Sequence, residues 1–308
     1  MFQAILVISA VAALAAQQPA QPPAAAPPPD TDIYELSFDG SADALKHARA
    51  QAVATERGYE NQPFFTADGH TILFTANRDV KQTDIFEFDR TARRIRQLVA
   101  TPEAEYSATV TPDGAGFSVI RVEADGTQRL WRFDRGGANP RLVLNDIKPV
   151  GYHAWVDTEQ LVLFVLGPPT TLQLARVATG KAEIVSRDIG RSLQRIPGGR
   201  AVSFVQREPD GEFWVKALNP ANAAITPIVQ AAPGSTARDC AWLPDGTLLM
   251  SSGTRILAHR PSPAANSAEG AWREVFDAAA HKLGAVTRMA VAPDGQALAI
   301  VVNEAPRP

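Results

Sequence analysis

The 308-residue sequence predicts an all-β fold, a six-bladed β-propeller, because one pattern returns six times along it. Asp-Gly dipeptides stand at Asp68, Asp113, Asp245 and Asp294, each between two apolar runs. That arrangement is the signature of a tight hairpin. Two degenerate copies fill the gap between the second and third of these. YHAWVDTEQLVLFV places Glu159 at the marker position, and SLQRIPGGRAVSFV places Gly198 there. The six markers are then 45, 46, 39, 47 and 49 residues apart, a period that fits one four-stranded blade per unit.

Each unit divides into four strands. In the first, QPFFT and HTILFTA flank the Ala-Asp-Gly turn, DIFEFD alternates as a third strand, and RRIRQLV makes a fourth. The second repeats this as SATVT, GFSVIRV, RLWRFD and PRLVL. β-Branched and aromatic residues dominate these runs, and turn clusters interrupt them. The last marker is followed only by QALAIVVNE, enough for the second strand of a hairpin. Near the start, DIYELSFDG (32–40) resembles the third strand DIFEFD. The last blade is therefore expected to be closed by N-terminal and C-terminal strands together, since an open ring leaves strand edges unpaired and an apolar blade face bare. Residues 42–53, ADALKHARAQAV, favour helix on propensity but are read as outer strand plus loop.

Residues 32–308 thus form the predicted propeller. Ahead of it, residues 1–16 (MFQAILVISAVAALAA) carry no side-chain charge and read as the apolar body of a signal peptide, with Ala13-Leu14-Ala15 at its cleavage site. The run is shorter than the roughly 20 residues of a spanning helix, so no transmembrane segment is expected in the mature chain. Residues 17–31, rich in Pro and Ala, read as a semi-extended linker. The expected location is periplasmic or secreted. Hydrophobic residues make up 45% of the chain and charged residues 20%, which allows a sizeable core. A net charge of −3 gives no reason to expect a nucleic-acid partner. The one cysteine, Cys240, excludes an intrachain disulfide and reads as a small buried hydrophobe.

The units resemble PD40 repeats, the WD40-like propeller repeats of TolB-type proteins. The residues that carry the resemblance are NQPFFTADGHTILFTANRD with TDIFEFD, SATVTPDG with LWRFD, AWLPDGTLLM and AVAPDGQALAI. The resemblance covers essentially everything after the linker. It implies the propeller, and a chain without the N-terminal α/β domain of TolB, whose place the Pro-rich stretch takes. The family also supplies propellers to prolyl-oligopeptidase-type peptidases, whose separate hydrolase domain would bring a Gly-x-Ser-x-Gly elbow. The sequence contains no such elbow.

Catalytic motifs are equally missing: there is no P-loop, dinucleotide fingerprint or His-Glu-x-x-His. No cofactor and no metal are expected. Asp79 and Asp84 in NRDVKQTD read as turn residues rather than calcium ligands. Trp155 and Trp242 occupy neighbouring inner-strand positions and read as blade-to-blade packing.

Superposing the units places a candidate site. Positions seven and six before each marker begin the innermost strand of every blade and should gather at one mouth of the channel. They are Asn61 and Gln62, Tyr106 and Ser107, Tyr152 and His153, Arg191 and Ser192, Arg238 and Asp239, Thr287 and Arg288. All of them are able to hydrogen-bond. Two or three positions before the marker the residues are apolar: Phe65, Val110, Val156, Ile196, Leu243 and Ala292. Arg191, Arg238 and Arg288, with Asp239, Glu60 and Glu105 as acidic counterparts, present forks suited to a carboxylate or phosphate. The binding residues expected are Asn61, Gln62, Tyr106, Tyr152, His153, Arg191, Arg238, Asp239 and Arg288, for a protein partner or a small anionic ligand. The function expected is a non-enzymatic binding or scaffold module of the cell envelope. The alternative is a lyase or hydrolase acting on a small anion, with His153 as base and Tyr106 or Tyr152 as acid.

Overall fold

A computed structural model describes residues 29–78, 82–236, 238–261 and 271–304. The predicted signal peptide, linker residues 17–28 and Asp79 lie outside the described residues. The chain opens with β1 (Thr31–Ser37) and β2 (Ala50–Ala54). Blade 1 is β3 (Glu60–Phe65), β4 (Thr71–Ala76), β5 (Asp84–Asp89) and β6 (Arg94–Val99). Blade 2 is β7 (Ala104–Val110), β8 (Gly116–Val122), β9 (Gln128–Asp134) and β10 (Arg141–Leu142). Blade 3 is β11 (Val150–Trp155), β12 (Gln160–Val165), β13 (Thr171–Arg176) and β14 (Lys181–Arg187). Blade 4 is β15 (Ile189–Arg195), β16 (Val202–Arg207), β17 (Phe213–Leu218) and β18 (Ile225–Gln230). Blade 5 is β19 (Cys240–Trp242), β20 (Leu248–Ser252), β21 (Arg255–His259) and β22 (Arg273–Asp277). Blade 6 takes β23 (Val286–Val291) and β24 (Ala297–Asn303) from the C-terminal side, then β1 and β2 as its outer strands.

The six sheets form a ring, with β3 beside β7, β11 beside β15, β15 beside β19, β19 beside β23 and β23 beside β3. Closure is by hydrogen bonds: β1 pairs antiparallel with β24 from Thr31↔Asn303 to Ser37↔Ala297. Residues 42–53 depart from the sequence reading. Ala42–His47 forms a 3-10 turn capped by the Ser41 hydroxyl, which accepts from Ala44 N–H, and buries Leu45. Helical propensity wins there because the turn packs on β22 and covers the outer edge of blade 5. The outer strand begins only at Ala50. No helix among the described residues is long and apolar enough to cross a membrane.

The Asp-Gly markers act as turn builders. Asp68 Oδ1 accepts from Thr66 Oγ1 (2.7 Å) and His70 N–H (3.0 Å), while Gly69 takes the left-handed φ of 70° that a side chain would strain. Asp113, Asp245 and Asp294 hold their turns in the same way. Blade 3 requires a correction. Its hairpin is closed by Val156 N–H donating to Gln160 C=O, one residue shorter than the Thr66–Thr71 bond of blade 1. Thr158 therefore stands at the marker position in place of Glu159. The capping carboxylate is Asp157, which accepts from Glu159 and Gln160 N–H.

Buried charges join neighbouring blades and loops. Arg90, at the β5–β6 turn of blade 1, grips Glu35 of β1 with two hydrogen bonds of 3.0 and 2.9 Å and donates to Gly69 C=O. This latch ties blade 1 to the closing blade. Glu60 pairs with Arg78 at 2.7 Å and Glu105 with Arg121 at 3.1 Å, so neither acid faces the channel arginines as the sequence reading supposed.

Two outcomes follow from these pairs. Arg90→Met leaves the carboxylate of Glu35 buried with only the Ser37 hydroxyl as a partner, and should cost about 3 kcal/mol of stability in a denaturant titration. Burial, opposed by arginine and hydrogen-bond partners, pushes the carboxyls of Glu60 and Glu105 from 4.5 up to about 7. The folded state then binds these protons more tightly than the unfolded chain, so their stabilising contribution is full below 4.5 and is lost as pH rises through about 7. The melting temperature should fall between pH of about 5 and about 8, and Glu60→Gln with Glu105→Gln should flatten that fall.

Candidate functional site

One residue per blade reaches the channel at the head of the inner strand. Counting from the corrected marker of blade 3, these are Gln62, Ser107, Tyr152, Ser192, Asp239 and Arg288, and all six line a central cavity of about 580 Å³. A local kink presents them. The inner strands of blades 1, 2, 3, 4 and 6 break register just here, at Asn61/Phe64, Tyr106/Thr109, Val150/Tyr152, Ile189/Leu193 and Val286/Arg288. Gln62 and Ser107 sit at φ 57° and 56°, a costly region for non-glycine residues. Such bulges re-aim a side chain and free an N–H from the ladder. The freed N–H groups are taken by the preceding blade. Gln62 Oε1 accepts from Ser107 N–H (2.7 Å), Ser192 Oγ from Cys240 N–H (3.1 Å), and Asp239 Oδ2 from Met289 N–H (2.7 Å).

The residues one position earlier mostly turn away, because successive strand side chains alternate in direction. Asn61 donates from Nδ2 to Thr31 Oγ1 and accepts Gln62 N–H, so it serves ring closure. Tyr106 packs against Ile120 and Leu130 and meets Tyr59 edge-on at 6.5 Å. Arg238 lies over the ring of Phe213 with its guanidinium carbon 3.4 Å from the centroid, and donates to Thr236 C=O. None of these three lines the cavity. Arg191 is the exception: it does line it, donating from Nη2 to Thr287 C=O at 3.2 Å. Of the apolar positions, Phe65 and Val110 line the cavity, while Val156, Leu243 and Ala292 are buried between blades.

His153 also lines the cavity but is anchored behind it. Its Nε2 lies 2.6 Å from Ser118 Oγ in blade 2, and its Nδ1 is buried without a partner. Burial pulls the imidazole down to about 3, so it is neutral across the ordinary pH range. The same Ser118 accepts from Trp155 Nε1 at 2.8 Å, and Ser203 accepts from Trp242 Nε1 at 2.8 Å. These two bonds staple blade 3 to blade 2 and blade 5 to blade 4.

Arg288 dominates the electrostatics. It is 8% exposed, and its Nη2 donates to Tyr152 Oη at 2.6 Å. Blades 6 and 3 are opposite in the ring, so this bond spans the channel and narrows its polar end. Neither Arg288 nor Arg191 makes an ion pair among the described residues, and the Nε of each is buried without a hydrogen-bond partner. Asp239 is the nearby acid, and its Oδ2 already accepts Met289 N–H. Burial raises its carboxyl, and Arg288 and Arg191 offset only part of that. Burial would also raise the Tyr152 phenol, but Arg288 and Arg191, with hydrogen bonds from Arg288 and Gln62, hold it below its usual value. Tyr59 joins the same cluster and was not in the sequence reading. Burial pushes its phenol up to about 12 against the pull of Arg288. Its only sequence signal is that it precedes β3 by one residue, outside the repeat as aligned. The result is a buried, net cationic end to a channel whose remaining wall mixes apolar residues with Thr109, Thr111, Gln194 and Arg195. No group of three or more potential metal ligands gathers among the described residues.

No protein-family model matches the sequence, and comparison with curated proteins finds no match. Solved structures do match the fold. A structure described as a putative TolB from Agrobacterium tumefaciens superposes with a TM-score of 0.67 at 13% identity, covering 90% of this chain and 99% of that one. TolB from Acinetobacter baumannii gives 0.56 at 12%, covering 89% of this chain and 64% of that one. XC5397 from Xanthomonas campestris, described as a gluconolactonase, gives 0.60 at 12%, covering 93% and 99%. At such identities the likeness is one of fold.

The phenol pair offers a direct check on this geometry. In an ultraviolet alkaline titration of the four tyrosines, one should ionise below 10. That component should vanish in Tyr152→Phe and move upward in Arg288→Gln, while Tyr59 should ionise last.

Proposed function

We propose that this chain is a ligand-binding propeller that holds an anionic group at the Arg191–Arg288 end of its channel and performs no chemistry of its own. The observation that carries the reading is Arg288, a buried guanidinium that makes no close ion pair among the described residues and shares its one nearby acid, Asp239, with Arg191. Two guanidiniums against one carboxylate leave a buried excess of positive charge, which is costly unless something supplies the counter-charge. Arg191 adds a second fork to the same end, and Gln62, Ser107 and Tyr152 supply neutral hydrogen-bonding groups beside it. A cavity of about 580 Å³ lies within the range of small-molecule pockets, which favours a small anion over a protein segment. The apolar N-terminal stretch supports an exported protein working in the periplasm or outside the cell, and a scaffold role in the envelope is compatible with that address.

The likenesses to proteins named TolB and to a structure described as a gluconolactonase are likenesses of fold and do not choose between binding and chemistry. His153 is the residue an enzyme reading would use, because its neutral Nδ1 is unpartnered. Against that reading, Nε2 is held by Ser118 in the blade wall, and the Tyr152 hydroxyl is committed to Arg288.

Calorimetric titration with acetate, butyrate, phosphate and sulfate tests the proposal. At least one should bind, and Arg288→Gln should weaken it roughly ten- to a hundredfold without changing the circular dichroism spectrum. Unaltered affinity in a folded Arg288→Gln, Arg191→Gln double variant would remove the arginines from the function. Steady conversion of a bound anion by the wild type, abolished by His153→Phe, would establish the enzyme reading instead.

A further inference from the structure

The two ends of the cavity differ in a way that narrows the ligand. At one end are the buried groups Gln62, Ser192, Asp239 and Arg288. At the other are the exposed hairpin turns of blades 1, 2 and 6, with Ala67, Pro112, Asp113 and Pro293 at the lining. The Arg288–Tyr152 bond spans the polar end. Between the ends the wall includes Phe64, Val110, Ala154, Leu193, Trp242 and Val291.

The polar edges of this wall are already used. Trp242 Nε1 donates to Ser203 and Trp155 Nε1 to Ser118, at 2.8 Å each, which leaves ring carbon toward the channel. The polar side chains along the wall are Thr109, Thr111, His153, Gln194 and Arg195, and most are already engaged: Thr109 Oγ1 donates to Ser107 C=O, Thr111 Oγ1 to Asp113 Oδ1, His153 Nε2 meets Ser118, and Arg195 donates to Gly199 C=O. A ligand that filled this space would therefore meet cation and hydrogen-bond donors at its tip and mainly hydrocarbon along its body.

Building on the anion-binding reading, we propose that the ligand is an amphiphilic monocarboxylate: a carboxylate head on an unbranched or aromatic apolar body. It enters head-first from the hairpin-turn end. The head takes the free donor capacity of Arg288 and Arg191 in place of solvent. The tail covers Val110, Leu193 and Val291, which line the cavity. A fully polar anion, such as a sugar acid, would leave its hydroxyl groups facing Phe64, Trp242 and Val291 without partners. The apolar wall thus discriminates against it, while the buried guanidinium discriminates against an uncharged amphiphile.

The test is calorimetry on the full folded chain with n-alkanoates from butyrate to octanoate, and with n-octanol and n-octylamine as head-group controls. Affinity should rise about three- to fourfold for each added methylene, octanoate should bind far more tightly than either control, and Arg288→Gln should weaken every acid by a similar factor. Ala290→Phe, which places a ring in the channel beyond the head, should weaken octanoate at least tenfold while sparing butyrate. The wild-type series stands by itself if that variant does not fold. Affinity that is flat along the series, with Arg288→Gln still abolishing binding, overturns the apolar-tail inference and leaves the anion reading intact. Failure of every acid to bind, or octanol binding as well as octanoate, overturns both.

Discussion

Everything in this molecule depends on closing the ring with hydrogen bonds between the two ends of the chain. A four-stranded sheet buries two faces only when it has a neighbour on each side, and an unclosed ring would leave two blades half bare. The seven-residue ladder between β1 and β24 removes that opening. Its register places Ile33 and Leu36 in the flanking apolar clusters of blades 6, 1 and 5. The Arg90–Glu35 latch and the Thr31–Asn61 contact act on the same seam from blade 1. Asn61 illustrates how a seam competes with a site for polar residues. By repeat position it belongs to the channel, and by chemistry it is taken by the closure.

Closure also creates the site. Once six inner strands meet around one axis, the residues at their heads are brought together at one end of the cavity. The bulges refine this. A regular strand head would present its N–H groups to its own ladder, whereas the kinked heads hand them to the neighbouring blade, as with Gln62 to Ser107 and Asp239 to Met289. The same contacts that hold blades in phase thereby engage Gln62 Oε1, Ser192 Oγ and Asp239 Oδ2. Arg288 lies outside this relay, with its charge turned across the channel to the Tyr152 hydroxyl.

The blade walls show the same division of labour. Trp155 and Trp242 present one edge to a serine of the preceding blade and their carbon to the cavity. Ser118 additionally holds His153. Each staple satisfies a buried indole N–H, which would otherwise be costly, and it fixes the wall against which a ligand would rest.

Much of this was legible in the sequence. The repeat period, the hairpin turns at Asp68, Asp113, Asp245 and Asp294, the shared blade and the polar character of the strand heads all follow from local chemistry and from counting. These depend on backbone preferences and apolar alternation, which are written residue by residue. Three things required the tertiary structure. The ladder of blade 3 closes at Val156, which moves its frame by one residue from the aligned repeat, and with a side-chain period of two, one residue exchanges inside for outside. The direction taken by Arg238, onto Phe213, depends on a ring supplied by blade 4, and Tyr59 reaches the cluster from outside the repeat. The pairing of Arg288 with Tyr152 joins residues 136 positions apart on opposite blades. Sequence determines which residues stand at the axis, but only closure decides which of them meet, because contact across a ring is set by geometry and not by distance along the chain.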